Sequence, residues 1–226
     1  MAKQDLFERS PVRAFEEAIG SGLKAGELGL VTAKKGLGKT AVLIQFGMDT
    51  LLNGKQLVHV SFDQHSNDVI SGYDTVFSEI AKKKTIANAA DVKEQIIRNR
   101  TILNFSQDNF SLEKVVNTLN ALKAGGIAVA GVVIDGVDFA KVKESDIQSV
   151  SSYAKATKTK IWISASEAGD KLEESAPKAI LPYFTAVIHL AAKGKETVIQ
   201  VLKMGKNKDI ETTLKLDSKT SLIVSK

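Results

Sequence analysis

Leu28-Gly29-Leu30-Val31-Thr32-Ala33-Lys34-Lys35-Gly36-Leu37-Gly38-Lys39-Thr40-Ala41-Val42-Leu43-Ile44 sets an apolar run, a loop of glycines and lysines, and an apolar helical segment in direct succession. A strand that feeds a tight loop opening a helix is suited to gather a polyphosphate. Glycines let the backbone wrap closely, several N–H groups point inward, and the positive end of the helix dipole adds to them. Lys39 then reaches the outer phosphates and Thr40 offers its hydroxyl to Mg²⁺. The segment Ala33, Lys34, Lys35, Gly36, Leu37, Gly38, Lys39 and Thr40 therefore reads as a site for ATP with Mg²⁺. Ala33 stands where such loops usually open with glycine. Lys34 and Lys35 read as solvated surface or as extra phosphate contacts.

Outward from this loop, the chain alternates strand and helix. Ser10 and Pro11 open a short helix that Gly20-Ser21-Gly22 closes. The loop helix runs to about Leu52. Gln56–Phe62 reads as the second strand, Ser66–Lys83 and Ala87–Asn99 as helices, and Thr101–Phe105 as a short strand. Ser111–Lys123 carries Leu112, Val115, Val116, Leu119 and Leu122 on one face. Ala128–Ile134 and Thr159–Ser164 are continuous apolar runs, the pattern of strands buried on both faces, with Ser145–Thr157 a helix between them. After the polar stretch Glu167–Pro182, short apolar runs at 186–191, 197–203, 211–216 and 222–224 read as a meander. The expected fold is α/β: a mostly parallel central sheet flanked by helices, with a C-terminal antiparallel extension. Residues 1–226 are expected to form one domain, with 1–10 a loose lead-in.

Composition narrows the chemistry. The 226 residues hold no cysteine, which excludes disulfides, zinc thiolates and cysteine nucleophiles. No run approaches the roughly 20 apolar residues of a membrane span, and residues 1–6 lack the apolar core of a signal peptide. A cytoplasmic location is the expectation. The net charge is +5, yet the only arginines are Arg9, Arg13, Arg98 and Arg100. A lysine-rich solvated surface accounts for that balance; nucleic-acid contact is the alternative.

In parallel sheets ligands bind at the carboxyl ends of the strands, so residues just after strands are the candidates for chemistry. Asp135 ends the run Gly131-Val132-Val133-Ile134 and would hold Mg²⁺ opposite Thr40. Asp63, with Gln64 beside it, follows the second strand and is the candidate for orienting an attacking water; the alternative is a turn residue ahead of Ser66. Ser164 and Ser166, around the end of the 159–164 strand, are candidates for sensing the terminal phosphate. His59 and His189 fall inside strands and read as structural residues. His65 is near the site without forming a metal signature.

In their order along the chain, these segments resemble the RecA-like P-loop ATPases, closest to the KaiC, RadA and DnaB branch. Phe15–Glu27 is similar to that family's lead into the phosphate loop, Val60-Ser61-Phe62-Asp63-Gln64 to the strand bearing its catalytic carboxylate, and Ile163–Glu167 to a later strand end. Val198–Lys203 and Leu214–Asp217 resemble its closing hairpins. The resemblance implies ATP and Mg²⁺ binding, and homo-oligomeric rings or filaments with sites at subunit boundaries.

Three departures qualify what the resemblance implies. Asp63 replaces the family's glutamate and is one methylene shorter. Lys203 fits the first position of a Lys-x-Arg pair that reaches a neighbour's phosphates, but Gly205 occupies the arginine's place, leaving Lys206 as a substitute without a bidentate fork. The segments 138–146 and 167–182, where RecA-like motors bind DNA, hold more carboxylates than lysines and disfavour nucleic acid. A slow ATPase whose nucleotide state controls conformation or assembly is the expected function. The alternatives are a non-hydrolysing nucleotide-binding module and a DNA-dependent recombinase or helicase accessory.

Overall fold

A computed structural model describes residues 2–82, 89–167 and 169–225. Along the chain the elements are α1 (Ala2–Glu8), α2 (Pro11–Ile19), β1 (Leu28–Ala33), α3 (Lys39–Leu52), β2 (Gln56–Ser61), α4 (Ser66–Lys82), α5 (Ala89–Arg98) and β3 (Arg100–Asn104). There follow α6 (Leu112–Ala124), β4 (Val129–Val137), α7 (Glu144–Thr157), β5 (Lys160–Ala165), β6 (Phe184–Lys193), β7 (Glu196–Met204), β8 (Asn207–Ile210), β9 (Leu214–Leu216) and β10 (Ile223–Ser225). The expected helix ends at Lys83 and Ala87 lie outside the described residues.

The described strands join one sheet in the order β10-β9-β7-β6-β1-β5-β4-β2-β3, with β8 pairing β7. The strands from β3 to β6 pair in parallel, and the rest are antiparallel. The mostly parallel α/β fold is therefore as expected. The antiparallel extension begins one strand later than the 186–191 run suggested, because β6 pairs parallel to β1.

Period-two alternation sorts the core into two layers. Leu30, Val132, Ile134, Ile161 and Ile163 face one apolar cluster with Leu112, Val115 and Leu119 of α6 and Ile147 and Val150 of α7. Val31, Val133 and Trp162 face the opposite cluster with Val42, Leu43 and Phe46 of α3. There the Trp162 and Phe46 rings stack at 4.1 Å. Gly29 on β1 makes room for that stack, since a Cβ there would lie 2.3 Å from the Trp162 ring.

Two segments differ from expectation. Residues 2–8, expected to be loose, form α1, because Leu6 is fully buried among Ile44, Met48 and Leu52 of α3 and Val92 and Ile96 of α5. Residues 205–208, expected to be a connection, turn at Gly205-Lys206 and then enter β8. Gly205 has φ +62°, which permits a two-residue hairpin turn and pairs Lys203 with Lys208 and Val201 with Ile210. Ser10 caps α2 by accepting from the Val12 N–H, as the sequence indicated. The β9–β10 hairpin is fastened to α3 by Gln45, whose Nε2 donates to Ser221 O at 2.9 Å and whose Oε1 accepts from Ile223 N at 2.7 Å.

Candidate nucleotide site

The phosphate loop curls at two glycines. Gly36 and Gly38 have φ of +88° and +97°, the left-handed region where a side chain is strained. Gly38 caps α3, and a Cβ on it would meet Leu216 Cδ1 at 2.8 Å, so β9 closes against the loop. Inside the curl, Lys39 is only 9% exposed. Its Nζ donates to Ala33 O at 3.2 Å and Lys34 O at 3.4 Å. Burial lowers its pKa, with Asp135 and Asp63 opposing that shift and Lys35 reinforcing it. A desolvated ammonium whose hydrogen-bond partners are two loop carbonyls favours an arriving anion.

Opposite the loop, the Thr40 hydroxyl donates to Asp135 Oδ2 at 2.5 Å. Asp135 is 2% exposed, so burial raises its pKa; the bonds from Ser164 and Thr40 oppose the shift, Asp63 adds to it and Lys39 opposes it. Ser164 Oγ donates to Asp135 Oδ1, and Ser164 Oγ accepts from the Gly136 N–H at 3.0 Å. A buried carboxylate and a half-buried hydroxyl bonded to each other form a hard-oxygen pair of the kind Mg²⁺ shares with substrate phosphates. Among the described residues no group of three or more His, Cys, Asp or Glu could hold a metal by itself. This donor set therefore fits a metal whose remaining ligands come from nucleotide and water.

Beside that pair, Gln64 Nε2 donates to Thr40 Oγ1 at 3.3 Å. The backbone of Gln64 is fixed by Ser61 Oγ, which accepts from its N–H at 2.9 Å, and by Asn104 Nδ2, which donates to its carbonyl at 2.5 Å. Asp63 is exposed at the end of β2 and receives Gln107 Nε2 at 2.9 Å. Its carboxylate lies against Gly136, where φ is +80° and a Cβ would sit 2.5 Å from Asp63 Cγ. Asp63 also lines a cleft of about 340 Å³ with Lys35, Gln107, Asp138, Lys141, Ser166 and Glu167.

The structure thus brings Lys39, Thr40, Asp63, Gln64 and Asp135 together at the carboxyl ends of β1, β2 and β4. Of the two serines proposed as sensors, Ser164 bonds Asp135 directly, while Ser166 is exposed on the wall of the cleft. Lys34 and Lys35 are exposed on the loop. Lys203 stands apart: its Nζ donates to Phe184 O at 2.6 Å, and Phe184 pairs with Leu28 at the opposite end of β1. Burial lowers the Lys203 pKa, as does Lys208. Lys206 is exposed in the adjoining turn. Neither lysine is near the phosphate loop of its own chain.

His189 is buried one strand from the loop, with Nδ1 2.9 Å from Thr32 Oγ1. Its pKa is lowered by burial, opposed by Asp170 and reinforced by Lys34 and Lys39. His59 is buried 3.1 Å from the Tyr73 hydroxyl, and burial together with Arg100 lowers its pKa to about 3. His65 is exposed. Sequence reasoning missed Gln107 and Gly136. The Asp-Gly step after a buried strand is a signal for the second; a lone glutamine in a loop gives none for the first.

A family model described as "ATPase: KaiC" matches residues 9–205. The DNA repair protein RadA of Aquifex aeolicus (strain VF5) is 26% identical over 152 residues, 66% of this chain and 28% of that protein. The chain therefore spans less than a third of that relative's length. Among the described residues no helix is long and apolar enough to cross a membrane.

Proposed function

This chain belongs to the KaiC family of ATPases and is an ATP-binding, RecA-like P-loop protein; we propose that it is a slow, Mg²⁺-dependent ATPase whose nucleotide state sets its conformation or assembly. The observation that carries this reading is the Thr40–Asp135 bond beside a buried Lys39. In this reading the loop amides and Lys39 hold the phosphates, while Thr40 and Asp135 hold the metal, with Asp135 kept in place by Ser164. Bound Mg²⁺ would neutralise charge on the phosphates. Asp63, steadied by its neighbours, would orient the attacking water and accept its proton.

Slow turnover follows from what is short or missing. Asp63 extends one methylene less than glutamate. Arginine fingers contribute roughly 10³–10⁵ in rate in other nucleotide hydrolases, and Gly205 supplies none. Lys203 and Lys206 lie at the far end of the sheet, so any contact they make with a phosphate tail is with a neighbouring copy's, across a subunit boundary. A homo-oligomer with shared sites is the arrangement this placement supports. The cleft wall sets Asp63, Asp138 and Glu167 against Lys35 and Lys141, a balance that does not favour a nucleic-acid backbone.

Phosphate release by wild type and Asp63→Ala, with light-scattering mass measured with and without Mg²⁺-ATP, tests the proposal. Expected are slow release by wild type, none above background by Asp63→Ala, and a mass that changes with nucleotide. Equal release by both proteins would remove Asp63 from the chemistry. No release by either, with binding intact, would favour a passive nucleotide-binding module.

A further inference from the structure

A carboxylate that orients water must hold one rotamer, because a misplacement near 1 Å can cost about 10²-fold in rate. Asp63 sits on an exposed turn just after β2. Two neighbours bear on its carboxylate, and a third steadies one of them. Gly136 leaves the space its carboxylate occupies, with a hypothetical Cβ only 2.5 Å from Asp63 Cγ and Oδ2. Gln107 Nε2 donates to Asp63 Oδ1 at 2.9 Å and also to Gly136 O at 2.7 Å. Lys141 Nζ, from the turn after β4, donates to Gln107 O at 3.0 Å and holds the glutamine's backbone.

From this arrangement we propose that Gln107 is a positioning residue for Asp63, a bracket that fixes the shorter carboxylate for its work on water. The inference rests on the ATPase reading above and adds a group to it. Gln107 stands on a single helical turn after β3, Gln107–Asn109, on the edge of the sheet away from the phosphate loop. Its amide reaches from that edge to both the Asp63 carboxylate and the backbone of β4. Both Nε2 bonds depend on the donor and not on the bulk of the side chain. An isosteric side chain without donors leaves the space filled and Asp63 free to turn.

The test compares steady-state ATP hydrolysis, ATP affinity and thermal stability for wild type, Gln107→Ala and Gln107→Met. Both variants are expected to lose turnover number on the order of tenfold while KM, ATP affinity and melting temperature stay close to wild type. Asp63→Ala, measured alongside, sets the floor. Gln107→Met turning over at the wild-type rate would overturn the proposal, since the glutamine would then be a spacer. A rise in KM with unchanged turnover number would overturn it too, assigning Gln107 to binding. If wild type itself shows no hydrolysis above Asp63→Ala, the ATPase reading falls and this inference with it. That outcome is distinct from an active wild type matched by both Gln107 variants.

Discussion

Gly136→Ala probes stability and chemistry together. Gly136 has φ +80°, and the added methyl would meet Asp63 Cγ and Oδ2 at 2.5 Å. The left-handed backbone costs an alanine about 1–2 kcal/mol. The contact would cost a further ~1–3 kcal/mol if the neighbour were rigid. Asp63 is exposed and able to swing away, so we place the total at ~2 kcal/mol. At roughly 2–4 °C per kcal/mol for a chain of this size, the melting temperature falls by about 4–8 °C. The displaced carboxylate leaves its bracket, and hydrolysis falls by about 10²-fold. Gly126→Ala isolates the backbone contribution, because Gly126 has φ +86° and a methyl added there would find no atom within 4 Å. It should lower the melting temperature by about 2–8 °C and leave turnover intact. Thermal melts and phosphate-release assays on both variants, with ATP affinity as the control for a folded site, read out the comparison. Wild-type hydrolysis by Gly136→Ala, or an equal loss in Gly126→Ala, would refute the reasoning.

Asp49 on α3 receives Arg13 Nη2 at 2.8 Å, yet burial raises its pKa, with Arg13 and Lys160 opposing. A folded pKa above the unfolded one means the folded state holds its proton longer. The stability linked to that proton is present at low pH and lost as pH rises through the folded value. Asp49→Asn keeps the neutral form throughout, so the melting-temperature difference between variant and wild type should shift in the variant's favour from about pH 4 to pH 7. A shift in the opposite direction would show that the ion pair with Arg13 outweighs burial. Gly29→Ala drives a methyl to 2.3 Å from the Trp162 ring and should cost about 1–3 kcal/mol. Chemical denaturation followed by the fluorescence of Trp162, the sole tryptophan, measures it; an unchanged midpoint would contradict the packing described.

Much of this protein can be read from its residues because local chemistry and global fold agree. Gly36, Gly38, Lys39 and Thr40 carry their meaning in a single turn. The apolar runs ending at Asp135 and Ser164 announce buried parallel strands. What escaped the sequence depends on long-range contact. α1 is a helix because Leu6 finds a pocket between α3 and α5, and seven residues alone give too little periodicity to show it. β8 forms because the Gly205-Lys206 turn lets it pair with β7. Gln107 acquires significance only when the fold carries the end of β3 beside the end of β2. The separation of Lys203 from its own loop likewise emerges from strand direction, since β7 runs antiparallel to β6.

Calorimetric titration of Mg²⁺-ATP into wild type and Lys39→Ala bears most directly on the whole account. Binding by wild type, lost or severely weakened in a variant whose melting curve shows it still folded, is the expected result. Equal affinity in the two proteins, or no heat with either, would mean that the amides around Gly36 and Gly38 do not hold a nucleotide.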